Sequence, residues 1–398
     1  MRKSKKRKTM QMLILVGFVT FTFTGCMVYR GIEAFESFLY GPPQGRPTIP
    51  SNIFVYAVGQ ANNDAVYWRN EEFFLLPRVG VGAAGEIATS IVVSGDDVYI
   101  AGQILYSRDT SEAVYWRNGQ PVRLPRGSAI VTEATSIVVS GNDVYVTDLA
   151  DNEAVYWKNE QLFTLSKIDA ERAVATSMVL LGTEVWVAGY LVYSDDDEGN
   201  FTQAVYWRGD GRPVILGHYA VAERIAILGN DVYVTGWAGR NAVFWRNGQI
   251  SNLRNPSASN DRDGRNARPA RANSIFISGN DVYIAGWAQR MNSNSELQNW
   301  GAFWRNGQYT ALVDQSDSGR YIVNNGANVR SIFVLDNNVY SGGHVVVSGW
   351  TGANASLNRN IAAIWMNEWR VLYLLDPRAR AAGQNVSTIV RDIYVVKR

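Results

Sequence analysis

Residues 224–248 read RIAILGNDVYVTGWAGRNAVFWRNG. Three short runs rich in Val, Ile, Tyr, Phe and Trp are separated by GND and AGRN, clusters of turn-forming residues. Runs of this length and composition, bounded in this way, are β-strands joined by tight turns. The stretch holds two tryptophans, Trp237 and Trp245, eight positions apart. They are either two rings of one site or separate parts of a building pattern.

Repetition separates them. The third run recurs as AVYWRN (65–70), AVYWRNG (113–119), AVYWKN (154–159), AVYWRG (204–209), AVFWRNG (242–248), GAFWRNG (301–307) and AAIWMN (362–367). Its tryptophans are Trp68, Trp116, Trp157, Trp207, Trp245, Trp304 and Trp365, one about every 50 residues. The first two runs recur ahead of most copies, as in ATSIVVSGDDVYIAG (88–102), ATSIVVSGNDVYVTD (134–148), ATSMVLLGTEVWVAG (175–189) and NSIFISGNDVYIAGW (273–287). A fourth, more variable run such as QPVRL (120–124) follows. Four antiparallel strands per unit, repeated along the chain, predict the blades of a β-propeller. The runs are apolar at nearly every position instead of alternating, as expected when each blade is covered on both faces by its neighbours.

The expected fold class is therefore all-β, a β-propeller of four-stranded blades over residues 51–398. Seven third strands imply seven blades. NIFVYAVGQ (52–60) matches a second strand and VSTIV (386–390) a first strand, so the N- and C-terminal strands are expected to close the circle within one blade. DIYVVKR (392–398) reads as a surplus second strand, which leaves eight blades open. The paired blocks, in consensus SGNDVYVxG and AVYWRNG, resemble the repeats of bacterial lipoproteins with β-propeller repeats, and more remotely the NHL and YVTN propeller repeats. That resemblance implies an architecture and leaves the activity open.

The start of the chain, MRKSKKRKTMQMLILVGFVTFTFTGC (1–26), has a basic opening, an apolar stretch from about Met12 to Phe23, and small residues before a cysteine. This pattern predicts a secretory signal whose apolar part is too short to span a bilayer. Phe23-Thr24-Gly25-Cys26 resembles a bacterial lipobox, which implies cleavage before Cys26 and acylation of its thiol; a plain signal peptide with an incidental cysteine is the alternative. Cys26 is the only cysteine, so no disulfide staples the protein. The expected organisation is a lipoprotein signal peptide over 1–25, a lipidated tether rich in Pro and Gly over 26–50, and the propeller over 51–398. The expected location is the bacterial cell envelope, lipid-anchored to the outer membrane or cell surface. Loss of residues 1–25 takes six of the 38 Lys and Arg with it and leaves 32 against 36 Asp and Glu, a net charge of −4. Nothing global then points to nucleic acid.

Turns after the first and third strands share one face of a propeller and are short and uniform here. Connections after the second and fourth strands share the other face and vary, as in segments 103–112, 190–203, 254–272, 288–300 and 313–329. Variable loops on a rigid scaffold are the expected binding face. There the residue following the second strand aligns as Gln60, Gln103, Leu149, Tyr190, Trp237, Trp287 and Trp350. Tyr190, Trp237, Trp287 and Trp350 thus form an aromatic arc that could stack on sugar rings or peptide side chains, or could cap the blade interfaces. On the uniform face, Asp97, Asp143, Glu184, Asp231 and Asp281 should stand across from Arg117, Lys158, Arg208, Arg246 and Arg305, as structural pairs in preference to an anion-binding ring.

Other motifs carry less. GVGAAG (80–85) fits G-x-G-x-x-G but precedes a strand, whereas dinucleotide binding needs a helix there. Asp195, Asp196 and Asp197 offer hard oxygens to a metal, yet a solvated acidic loop is the plainer reading. NDRDGRN (260–266) lacks the acid that ends a calcium loop. His218 and His344 are the only histidines, and His344 is read as standing where other copies carry the strand's Tyr. No catalytic set or cofactor is expected. The reading is a membrane-anchored binding or scaffolding module for a protein or glycan ligand. The alternatives are a propeller carbohydrate-active enzyme, hydrolase or lyase, using carboxylates on the variable face, and a subunit of an envelope assembly. In cells fed a labelled fatty acid, Cys26→Ala is expected to abolish incorporation of label into the protein; unchanged labelling would refute lipidation.

Overall fold

Each WRN signature ends in an asparagine that the backbone holds at positive φ, from 49° at Asn306 to 57° at Asn367. Asparagine tolerates the left-handed region better than most side chains. The fourth unit, AVYWRG, uses Gly209 at φ 59°. In the other units the Asn Oδ1 accepts a backbone N–H from the start of the second strand, 2.8–3.0 Å from Val55, Val98, Val144, Val232, Val282 and Val339. The same asparagines donate their own N–H to the carbonyls of those valines. One residue therefore turns the chain and pins three strands together, which accounts for the uniformity of this turn.

The structure, a computed structural model, describes residues 47–125, 127–195, 199–255, 268–291, 297–312, 326–347, 359–378 and 387–398. These form seven four-stranded antiparallel sheets, arranged as the blades of a β-propeller. The inner strands are Thr388–Lys397 (blade 1), Gly85–Ser94 (blade 2), Thr132–Ser140 (blade 3), Arg172–Leu181 (blade 4), Ala220–Leu228 (blade 5), Ala270–Ser278 (blade 6) and Ala327–Leu335 (blade 7). Each packs against the next around a ring that closes from blade 7 to blade 1. Closure is made as expected by the two chain ends, Ile53 opposite Lys397 through Ala61 opposite Thr388. DIYVVKR is not a second strand: it continues VSTIV past a bulge at Arg391 as one strand, and this removes the case for an eighth blade.

Burial is organised between blades. The described core divides into seven clusters, each shared by two neighbouring blades and each holding one signature tryptophan. Trp245 of blade 5, for example, packs with Trp186, Ala188 and Ala204 of blade 4. The seven rings are 0–3% exposed. Four of them also donate Nε1–H to a carbonyl beyond the preceding blade's outer strand: Trp68 to Leu375, Trp116 to Pro77, Trp207 to Ser166 and Trp304 to Arg254, at 2.7–3.3 Å. Among the described residues, Trp245 and Trp365 find no partner for their N–H. The uniform-face acids and bases form the expected cross-strand pairs, Asp97–Arg117 at 2.6 Å, Asp143–Lys158 at 3.0 Å and Glu184–Arg208 at 2.6 Å, with Asp231–Arg246 and Asp281–Arg305 alike. Each base also lies over the ring of the same blade's second strand, as Arg117 does over Tyr99 at 5.4 Å. Their charges are used within the blade. Trp245→Ala leaves a large void in a packed interface and is expected to lower stability by about 3 to 5 kcal/mol in equilibrium denaturation.

Candidate functional site

Every inner strand carries a bulge one residue long, at Thr89, Thr135, Thr176, Glu223, Asn273, Arg330 and Arg391. A bulge leaves one residue out of the ladder and re-aims its side chain. In six blades the second-strand residue facing it is glycine, because a Cβ there would stand 1.8–2.1 Å from an inner-strand carbonyl oxygen. At four bulges the side chain stitches the ring: Thr89 donates to the Ala134 carbonyl (2.6 Å), Thr135 to Ala175 (2.9 Å), Thr176 to Ala222 (2.9 Å) and Asn273 to Val329 (2.6 Å). The residue after the bulge adds a second stitch, as where Ser331 Oγ accepts the Ile393 N–H at 3.2 Å and Ser274 Oγ that of Ile332 at 3.3 Å.

Glu223, Arg330 and Arg391 break this pattern in blades 5, 7 and 1. Two of their electrostatic partnerships cross the ring, Glu223 of blade 5 with Arg330 of blade 7 and Arg391 of blade 1 with Glu133 of blade 3, while His344 of blade 7 couples to Arg330 in its own blade and to Arg391 in the next. Arg224 of blade 5 reaches Asp392 of blade 1 at 3.1 Å, and Asp392 also accepts from Ser90 (2.9 Å) and Ser331 (2.6 Å). Contacts between non-adjacent blades require the side chains to meet on the axis. Arg330 is exposed, yet burial still lowers its pKa; a side chain standing in a narrow passage has both properties. Burial and the Arg330 charge hold Arg391 down to about 10. Burial pushes Glu223 up, against the pull of Arg224, the Trp237 hydrogen bond, Arg330 and Arg271.

Trp237 joins this axial cluster to the variable face. Its indole faces the Glu223 carboxyl and helps to hold that pKa down, and the Arg271 guanidinium lies 4.1 Å from its ring centroid and 5.8 Å from that of Trp287. Trp237 also lines a cleft of about 310 Å³ with Val192, Asn200, Phe201, Thr202, Tyr219 and Gly239. Most of these wall residues come from segment 190–203, which is not a loop: its flanks pair from Tyr190 opposite Ala204 out to Asp195 opposite Gly199 and form a projecting hairpin. Phe201 on that hairpin stacks on Tyr193 at 5.3 Å and meets Tyr219 at 5.8 Å.

The aromatic arc is therefore partly assembled. Tyr190 is half-buried with Arg172, Glu223 and Glu133 in its field, and Trp237 and Trp287 share Arg271. The fourth position belongs to His344, not Trp350: His344 pairs with Asn328 as Trp237 pairs with Val221. The strand's Tyr position in that blade is Tyr340, opposite Phe333. Irregular spacing in the last unit had displaced both assignments. Trp350 lies outside the described residues, as do Asp196, Asp197 and the run 260–266, and of Asp195 only the backbone is described. Among the described residues no cluster of His, Cys, Asp and Glu is arranged to hold a metal. The GVGAAG loop runs directly into the inner strand of blade 2. Sequence reasoning missed the axial charges, although the switch from ATS to AER, VRS and VRD within the inner-strand repeat marks them.

Asp148 occupies the glycine position of blade 3. It is fully buried, accepts the Glu133 N–H at 2.6 Å and the Trp157 Nε1–H at 3.0 Å, and burial raises it to about 7.

No family model and no curated protein matches the chain. Among solved structures it is similar to a protein assigned as a 6-phosphogluconolactonase from Bacteroides fragilis, 11% identical over 88% of this chain and 100% of that one, with a TM-score of 0.42. It is also similar to the neuraminidase-like protein of the isolate A/flat-faced bat/Peru, 8% identical over 70% of this chain and 86% of that one, with a TM-score of 0.40. Neither likeness bears on ligand or activity.

Burial, with Arg330 and Arg391 adding to it, depresses His344 from 6.5 to about 4. Between these values the unfolded chain binds a proton that the folded chain refuses, so this group lowers stability as pH falls through 6.5 to 4 and has no effect above that window. Asp148 acts with the opposite sign, since its raised pKa favours the folded state at low pH, but it does so equally in a His344 variant. His344→Gln is expected to flatten the acid side of the stability profile relative to wild type, measured by urea denaturation at stepped pH. Parallel profiles would contradict the buried neutral imidazole.

Proposed function

We propose that the protein is a lipid-anchored binding module of the bacterial cell envelope, whose variable face captures a protein or glycan ligand. The anchor rests on the signal and Cys26. The observation that carries the binding reading is the cleft beside Trp237. It has walls of Phe201, Tyr219 and Val192 and polar groups from Asn200 and Thr202 at its margin. Small-ligand sites combine apolar and aromatic walls with a few polar groups in this way, and about 300 Å³ is the low end of their size range. A space of that size fits one sugar ring or one large side chain. Aromatic rings supply broad apolar contact at little conformational cost, and tryptophan adds a polar edge. The uniform face supports the same division, because its repeated charges are paired within each blade.

The test is capture on a glycan and protein array by the full-length protein in detergent micelles. Trp237→Ala and, separately, Phe201→Ala are expected to weaken capture of the ligand so identified by about tenfold, with an unchanged melting temperature. Phe201 stands on the projecting hairpin, so its loss is the gentler structural change. Undiminished capture by both variants would remove the cleft from the binding site.

A further inference from the structure

We infer that the axial passage is an anion site in which Arg330 and Arg391 receive the carboxylate of a small acidic ligand entering from the variable face. This deepens the binding reading by naming a charge that the ligand carries, and it rests on residues other than those of the cleft.

Both arginines stand at bulge positions where four of the other five blades place Thr or Asn to stitch one blade to the next. Blades 7 and 1 lack that stitch and bring two guanidinium groups together at the ring closure. Arg330 acts on Arg391 as a like charge that helps to lower it. Among the described residues neither has a carboxylate within ion-pair distance, whereas Arg224 does, one position beyond the bulge in blade 5. Among the described residues, the Arg391 Nε and the His344 Nδ1 are buried with no hydrogen-bond partner. Buried donors are ordinarily satisfied, and two arginines without an ion-pair partner, beside an imidazole whose Nε2 meets Asn328 Nδ2 at 3.4 Å and whose Nδ1 is unpaired, form a ready set for an oxyanion. Arg330 is open to solvent and so can be reached.

The surroundings select the kind of anion. Glu133 faces the same passage as a charge that acts on Arg391, so a dianionic phosphate meets more repulsion than a singly charged carboxylate. The planar guanidinium fork matches a carboxylate with two parallel hydrogen bonds. Neutral His344 beside the arginines adds a polar contact without adding charge. Glu223, pushed toward its protonated form by burial, faces the Trp237 indole and so connects the passage to the cleft.

The experiment is calorimetric titration of the full-length protein in detergent micelles at low ionic strength with glucuronate, glucose and inorganic phosphate. Glucuronate is expected to bind, glucose not to bind, and phosphate to bind more weakly than glucuronate. Arg330→Gln and Arg391→Gln are each expected to weaken glucuronate binding by about tenfold or more, as is usual when one partner of a desolvated charge pair is removed. Arg330→Lys, which keeps the charge and loses the fork, should fall between. Absence of glucuronate binding, equal binding of glucose, preference for phosphate, or full affinity in both glutamine variants would overturn the assignment. The comparison of glucuronate with glucose uses the wild-type protein alone and survives misfolding of any variant. Loss of array capture in Trp237→Ala with glucuronate binding retained would separate the cleft from the axial site, and absence of glucuronate binding by the wild-type protein alongside array capture that depends on Trp237 would sink the axial site alone.

Discussion

A blade of four short strands has two apolar faces and can hide neither by itself. Everything else in this protein follows from hiding them against neighbours, and the signature tryptophan is the group that does most of it. Its side chain is the largest available, it stands at the centre of every shared cluster, and in four blades its N–H also grips the connection leaving the preceding blade. Because the interfaces form a ring, no blade is terminal. The chain ends must therefore meet in one sheet, as they do where Ile53–Ala61 pairs with Thr388–Lys397.

The same ring makes the axis a distinct environment. Seven inner strands converge there, each bulged at an equivalent position, and the bulged side chain either bonds to the next blade or points where it meets side chains from across the ring. Threonine and asparagine take the first course. Glu223, Arg330 and Arg391 take the second, at the expense of three stitches in the innermost layer. Asp392 offsets part of that loss. It belongs to the closing strand, yet it accepts hydrogen bonds from Ser90 of blade 2 and Ser331 of blade 7 and an ion pair from Arg224 of blade 5. Charge is thus concentrated where ring closure is made, next to the passage proposed to receive an acidic ligand.

Trp237 and Trp245 illustrate how one fold assigns different work to one residue type. Trp245 is fully buried in the interface between blades 4 and 5. Trp237 is half-buried, with Arg271 on its ring, the Glu223 carboxyl facing its indole and a cleft beside it. Its neighbours come from three blades and are separated by dozens of residues along the chain.

The amino-acid sequence by itself determined most strands, their turns, the closure by both ends and the pairing of uniform-face charges, and it favoured seven blades over eight, a choice that only the register of the closing strand settled. All of these are local or repeated, and repetition exposes a pattern that single copies would hide. It also marked Trp237 and Trp287 by position, but it misplaced the fourth member of their set, because the last unit lost its spacing and only the register identifies His344 as the equivalent residue. The axial cluster was decided by tertiary structure alone. Glu133, Glu223, Arg330, Arg391 and His344 come from four blades, and nothing in their separation along the chain says that a ring of seven bulged strands brings them to one axis.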